Sequence, residues 1–256
     1  MEQKKYYFIA SLEKGLKILE LLSSTGAMSV SQVAAALGYN RPGAHRFLRT
    51  LKELGYVQQT PHGEYEPSFK ILELSTKVAG RFEIRKNAAS IMRKLSSATK
   101  ETINLGFIQG TDIIHLDKID SPELLRMDPE IGSRAPAQNT ALGKAILAFL
   151  PAEELEEFCA QADWKALTPN SNSTREKLYA ELAKVRETVW ALDNEELCLG
   201  LRCVAVPIFD HSNYPRYAIS ISGPSMRMSD ERIALIQEKL LAASRELSQK
   251  LKELGQ

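Results

Sequence analysis

The most constraining feature of this chain is a pair of short helical patterns joined by a glycine and followed at once by a hairpin pattern. Ser29 and Gln32 have the spacing of a capping box, and Val33, Ala34 and Leu37 then recur at helical intervals before Gly38. Asn40 is a good cap for a second helix, and Pro42 is tolerated there because first-turn amides have no helical partner. Ala44, Phe47, Leu48, Leu51 and Leu54 form its apolar stripe, and Gly55 stands where a left-handed terminus is wanted. A helix over 11–25, capped by Ser11 with Leu12, Leu16, Leu19 and Leu22 as its apolar positions, precedes the pair and ends at Gly26. Residues 56–59 and 64–67 read as two strands about the turn Thr60-Pro61-His62-Gly63. The whole is a helix-turn-helix with a wing.

That geometry carries a chemical expectation. The second helix of such a unit fits the major groove of double-stranded DNA, with its N-terminal residues at the base edges. Between Gly38 and Lys52 the chain has Arg41, Arg46, Arg49, Lys52 and His45, and no acid. One of Arg41, Arg46 and Arg49 suits a bidentate contact to guanine, and the others, with His45, suit phosphates. His62 at the wing tip either touches the DNA backbone or minor groove or is simply solvated. Tyr39 is either a core residue or a phosphate contact. The alternative, a winged helix that contacts protein rather than DNA, is opposed by the acid-free basic stretch.

Residues 68–83 continue in a helical pattern and read as a linker helix, and 84–256 as a second domain, leaving 1–67 as the winged unit. Strand patterns at 102–108, 113–119, 202–209 and 216–222, with helices at 88–99, 139–150, 152–160, 174–190 and 229–254, give an α+β class with a mostly antiparallel sheet. If 202–209 and 216–222 form a symmetric hairpin, Cys203 lies opposite Ser222 and Ala205 opposite Ser220. Val204, Val206, Ile219 and Ile221 then share one apolar face, and Cys203, Ser220 and Ser222 share the other. A face of small, weakly polar residues is either a ligand pocket floor or the underside of a packed helix.

Composition narrows the classes. The net charge is +1, with 44% hydrophobic and 25% charged residues, an ordinary soluble balance. No run of about eighteen apolar residues suggests a membrane span. No secretory leader is evident, and the three cysteines lack disulfide or zinc-finger spacing, so the cytoplasm is the expected compartment. No nucleophile elbow, phosphate loop or dinucleotide fingerprint is present, so no enzyme, cofactor or metal is expected. Asp193, Glu195, Glu196 and His115 carry metal-binding chemistry but no ligand spacing, and His115 reads equally as a core or surface histidine.

The segments SLEKGLKILELLSS, SVSQVAAALGYN, HRFLRTLKELGYVQQ and EYEPSFKILELS, followed by GSRAPAQNTALGKAILAFLP, GLRCVAVPIFD and AISISGPSMRMSDER, resemble the IclR family of bacterial transcriptional regulators along nearly the whole chain. ETINLG, DKIDS and LLRM most resemble its branch responding to 2-keto-3-deoxygluconate and related sugar acids. The resemblance implies a GAF-like second domain that binds a small organic acid, a 2-oxo acid or sugar acid. It implies polar contacts from Asp193, Cys203, Ser220 and Ser222, main-chain contacts from Ala141 and Leu142, and apolar walls from Leu124, Met127, Ala135 and Leu201. A near-palindromic operator, a homodimer through the DNA-binding domains and a dimer of dimers through the sensor domains are also implied. Lys144 reads as a packing lysine, a surface lysine or a ligand contact, and Arg126 as an acid partner or a surface residue. The family often has a Ser/Thr pair where this chain has Pro42 and Gly43, so its base reading is expected to differ from that of relatives.

Overall fold

A computed structural model describes residues 8–253. The chain forms two compact units, divided between Arg81 and Phe82. In the first, α1 (Ala10–Thr25), α2 (Val30–Leu37) and α3 (Arg41–Glu53) precede the hairpin of β1 (Val57–Gln59) and β2 (Tyr65–Pro67), and α4 (Phe69–Ala79) follows. The capping chemistry is as the sequence requires. The Ser29 and Gln32 side chains close a reciprocal capping box on α2. Gly38 ends α2 at φ 66°, a left-handed conformation that costs a residue without Cβ little. Asn40 Oδ1 accepts the Gly43 amide at 2.7 Å and starts α3. At the other end the Tyr56 amide reaches back to the Leu51 carbonyl and the Gly55 amide to Lys52, a Schellman closure.

The core of this unit joins Ile18, Leu22, Val33, Ala34, Ala44, Leu48, Val57 and Tyr65, with Tyr39 half-buried against Phe47. Here α1 departs from the sequence expectation. It starts one residue before Ser11, which caps nothing, and its buried line is Ile18 and Leu22. Leu12 and Leu16 stay exposed, and with Phe47, Leu51, Leu54 and Tyr56 they form an open apolar groove. None of the residues of α4 is buried, and Phe69, Leu72 and Val78 face solvent.

The second unit is built on a six-stranded, wholly antiparallel sheet in the order β5-β4-β3-β8-β7-β6. Its strands are β3 (Thr102–Gln109), β4 (Asp112–Ile119), β5 (Arg134–Pro136), β6 (Ala191–Asn194), β7 (Leu201–Phe209) and β8 (Pro215–Pro224). One face packs on α5 (Glu83–Thr99) and α9 (Asp230–Glu253), where Ile103, Leu105, Val204, Val206, Ile219 and Ile221 meet Met92, Leu95, Ile236, Leu240 and Leu247. The other face lies under α6 (Ala141–Leu147), with α7 (Ala152–Gln161) and α8 (Arg175–Thr188) outside it. The expected α+β class with an antiparallel sheet is the observed one.

The helix expected over 139–150 is shorter. Residues 137–139 form a 3-10 turn, and Thr140 caps α6 by accepting the Gly143 amide at 3.0 Å. A Cβ on Gly143 would stand 2.1 Å from the Ala137 carbonyl oxygen, so only glycine lets this turn fold onto the helix start. Every residue of α6 is buried. The short strands β5 and β6 lie outside the strand patterns read from sequence.

Candidate DNA-reading helix and effector cavity

The exposed side of α3 follows from its stripe. At roughly 100° per residue, Ala44, Phe47, Leu48 and Leu51 turn inward, and Arg41, His45, Arg46, Arg49 and Lys52 fall within an outward arc of roughly 140°. Arg49 Nε meets Glu53 Oε1 at 3.2 Å, an exposed pair that screening makes weak. Lys52 Nζ donates to Gln59 Oε1 at 2.9 Å and so ties the helix to the first wing strand. His62 is exposed at the wing tip. The structure therefore brings Arg41, His45, Arg46 and Arg49 onto one free face and leaves His62 apart on the turn.

In the second unit the hairpin register is the symmetric one. Cys203 pairs with Ser222 and Ala205 with Ser220, despite a bulge nearer the turn. The row extends across four strands. Thr102, Ser222, Cys203 and Asp193 lie side by side, as do Asn104, Ser220, Ala205 and Ala191. Asp193, Cys203, Ser220 and Ser222 are all buried, and they line one small cavity closed above by Thr140, Ala141 and Leu142 at the start of α6. Its accessible volume is about 20 Å³, room for little more than a water molecule.

The electrostatics of this cavity are unusual. Asp193 Oδ1 accepts the amides of Glu196 at 2.8 Å and Leu197 at 3.4 Å. Burial, reinforced by the nearby Glu196 carboxylate, nevertheless pushes the Asp193 carboxyl up to about 7. Burial also raises the Cys203 thiol, which is therefore neutral and poorly nucleophilic. His115 on β4 lines the same cavity, and burial, with the charge of Lys118, lowers its imidazole to about 4, leaving it neutral. Lys144 is fully buried. Its Nζ donates to Glu196 Oε1 at 2.5 Å and to the Leu192 carbonyl, so the surface and ligand-contact readings give way to a structural ion pair. Asn172 Nδ2 completes the Glu196 carboxylate at 2.5 Å.

The apolar residues divide. Met127 lines the cavity, held there because Thr102 Oγ1 donates to its carbonyl at 2.7 Å. Leu201 lies one step out, in an apolar groove that shares Met127 and Leu197 with the cavity. Leu124 is not brought to the site. It is 100% exposed, because Arg227 holds the adjoining Leu125 carbonyl at 2.9 Å and Leu125, not Leu124, turns into the groove. Ala135 packs in the apolar cluster under α6 and does not line the cavity. Arg126 faces Asp128 at 3.6 Å near the surface.

Sequence reasoning passed over Asn104. Its Nδ2 lies 3.1 Å from Ser222 Oγ and 3.4 Å from Ser220 Oγ, so it joins the two serines across the strands. The signal was present in β3, where Thr102, Asn104 and Gly106 alternate with Ile103, Leu105 and Phe107.

A winged helix with a basic outward face, preceding a sheet domain that buries a polar row under a helix, has the outline of a DNA-binding regulator. The IclR helix-turn-helix model matches residues 11–61, and the model of the bacterial transcriptional regulator IclR C-terminal region matches 76–249. The chain is 35% identical to the HTH-type transcriptional regulator KdgR of Escherichia coli, over 94% of this chain and 92% of that one. It is 34% identical to KdgR of Dickeya chrysanthemi, over 95% and 80% respectively. The crystal structure of the Thermotoga maritima IclR superposes with a TM-score of 0.83 at 33% identity, covering 96% of this chain and 100% of that one. The chain belongs to the IclR family of DNA-binding transcriptional regulators, within its KdgR-like branch. Among the described residues no helix is long and apolar enough to cross a membrane.

Proposed function

We propose that this regulator is a repressor that binds a near-palindromic double-stranded operator as a homodimer and releases it when a small organic acid occupies the cavity of the second unit. The observation that carries the effector half is the polar row beneath α6. Asp193, Cys203, Ser220 and Ser222 offer hydrogen-bonding groups, and the first-turn amides of Ala141 and Leu142 stand where a helix leaves amides free for a carboxylate. Met127 packs against the body of the acid, and Leu201 joins it when the groove closes. The small cavity volume requires the wall formed by Met127 and Leu197 to move outward on binding, which couples occupancy to a change in the unit's shape.

In the DNA half, Arg46 reads a base, Arg41, His45 and Arg49 hold the backbone beside it, and His62 touches DNA from the wing. The exposed apolar side chains of α1 and α4 support pairing of two first units, which would set recognition helices about 34 Å apart. Leu124, Leu125, Leu199 and Met226, exposed on the second unit, support assembly of dimers into a dimer of dimers. Mobility-shift assays with the DNA upstream of the protein's own gene test the reading. Arg46→Ala is expected to weaken specific binding by about 1–3 kcal/mol without altering acid binding. Ser220→Ala with Ser222→Ala is expected to abolish the response to acid and spare DNA binding. Absence of any specific protection at low salt overturns the DNA half, and equal acid affinity in wild type and the serine variant overturns the effector half.

A further inference from the structure

We infer that Gln59 is a positioning residue of the DNA-binding unit: its side-chain amide braces the wing turn against α3 and so sets where His62 meets DNA, with Lys52 spent as the anchor of the brace and not on a phosphate. The inference rests on the DNA reading above. Both ends of the Gln59 amide are engaged. Its Oε1 accepts Lys52 Nζ, from the last turn of α3, at 2.9 Å, and its Nε2 donates to the Gly63 carbonyl at 2.9 Å. One side chain thus joins the helix to the far side of the turn that carries His62.

The wing is built so that it needs such a brace. Its hairpin is three pairs long, Val57 with Pro67, Gln58 with Glu66 and Gln59 with Tyr65. The base is fixed by burial, since Val57 and Tyr65 belong to the core and Tyr65 exchanges backbone hydrogen bonds with Met28. The tip is exposed at Pro61, His62 and Gly63 and closes on itself. The Thr60 amide donates to the Glu64 carbonyl, the Gly63 amide to the Thr60 carbonyl and the Glu64 amide to Thr60 Oγ1. The Pro61 ring fixes one more dihedral, so the turn is stiff within itself and only its tilt is free. Among the described residues the Gln59 side chain is the one hydrogen-bonded link between this turn and α3. In a stiff turn, holding Gly63 also holds its neighbour His62. Lys52 lies away from the N-terminal residues of α3 that reach base edges, and so can serve as the anchor. Exposed hydrogen bonds are modest in strength, and the gain here lies in preorganisation: a loop already held in its bound tilt does not have to be ordered when DNA arrives.

Operator affinity of the full chain, measured by mobility shift on the DNA upstream of its own gene, tests this. Gln59→Ala and His62→Ala are each expected to weaken binding about three- to tenfold. The double variant should be no weaker than the worse single one, because an unbraced wing has already lost the His62 contact. Arg46→Ala acts on a separate contact, so its loss should multiply with that of Gln59→Ala. Lys52→Met should match Gln59→Ala and leave the slope of log affinity against log salt near its wild-type value, whereas a lost phosphate contact lowers that slope by about one. Hydroxyl-radical footprints of Gln59→Ala should lose protection at the backbone beside the wing and keep it along the groove that α3 occupies. Wild-type affinity in Gln59→Ala or His62→Ala, losses that multiply between those two, or a slope lowered by about one in Lys52→Met overturns the brace. If any of these results accompanies weakened binding by Arg46→Ala, the brace falls and the DNA reading stands. Absence of specific binding by the wild type overturns both.

Discussion

The two faces of the β7–β8 hairpin are made by the same strands and solve opposite problems. On one, Val204, Val206, Ile219 and Ile221 are sealed against α5 and α9 by apolar contact alone. On the other, Cys203, Ser220 and Ser222 lie under α6 beside Asn104, Asp193 and His115, and the packing leaves a hole. The difference is one residue of register, since neighbours along a strand point to opposite sides. Stability is thereby invested on the filled face, while the other face keeps buried polar groups that only paired charges and hydrogen bonds make tolerable. The Lys144–Glu196 pair is the clearest instance, a fully buried ammonium that partly offsets the burial by which the Glu196 carboxyl stays raised above its ordinary value.

That pair offers the largest way to break the comparison. Lys144→Met strands Glu196 as an unpaired buried acid, and the expected loss is about 3–5 kcal/mol. Adding Glu196→Gln removes the stranded charge and keeps one acceptor oxygen, enough for the Asn172 amide or the Asn194 amide but not both, so much of the loss should return. Urea unfolding followed by tryptophan emission reads the second unit alone, because Trp164 and Trp190 are the only tryptophans of the chain. A double variant no more stable than Lys144→Met would show that the lysine acts through packing rather than charge.

Adjacent residues of β8 sharpen the comparison further. Ile221→Ala opens a cavity in the filled face and should cost about 2–5 kcal/mol. Ser222→Ala removes one hydrogen bond to Asn104, which keeps Ser220, and should cost about 1 kcal/mol or less. Similar losses for both would mean that the polar face is as tightly packed as the apolar one and has no room to open for a ligand.

The same contrast governs what could be read in advance. The filled face was legible, because alternation of β-branched residues fixes strand and side together, and the hairpin register followed from its symmetry. The winged unit was legible for a related reason: caps, stripes and glycine termini are local, and Ser29, Gly38, Asn40 and Gly55 each act within a few residues. Non-local consequences were not. The exposure of Leu12 and Leu16 depends on what else covers α1, the orientation of Leu124 on where Arg227 reaches, and the Lys144–Glu196 pair on a helix and a loop 52 residues apart meeting in space.

The smallest expected effect separates two buried aspartates by the sign of their pH dependence. Asp193, on the cavity face, titrates near 7 when folded against 3.8 in the open chain. Between those values the native state holds the extra proton, so stability attributable to Asp193 falls as pH rises from about 4 to about 7. Asp210, just beyond β7, behaves oppositely. Burial would raise it, but hydrogen bonds from Ser212 and Tyr214 and the Arg216 guanidinium at 3.1 Å win and hold it at about 2. Its contribution is present above about 4 and is lost as pH falls towards 2. Asp193→Asn should therefore flatten a stability slope on the neutral side, and Asp210→Asn one on the acid side, each seen in urea midpoints measured across pH. A carboxylate ligand entering beside Asp193 favours its protonated form, so acid binding should take up a proton near pH 7 and weaken as pH rises. Calorimetry in two buffers of different ionisation enthalpy measures that proton directly, and its absence would place the ligand's charge away from Asp193, at the far end of the polar row.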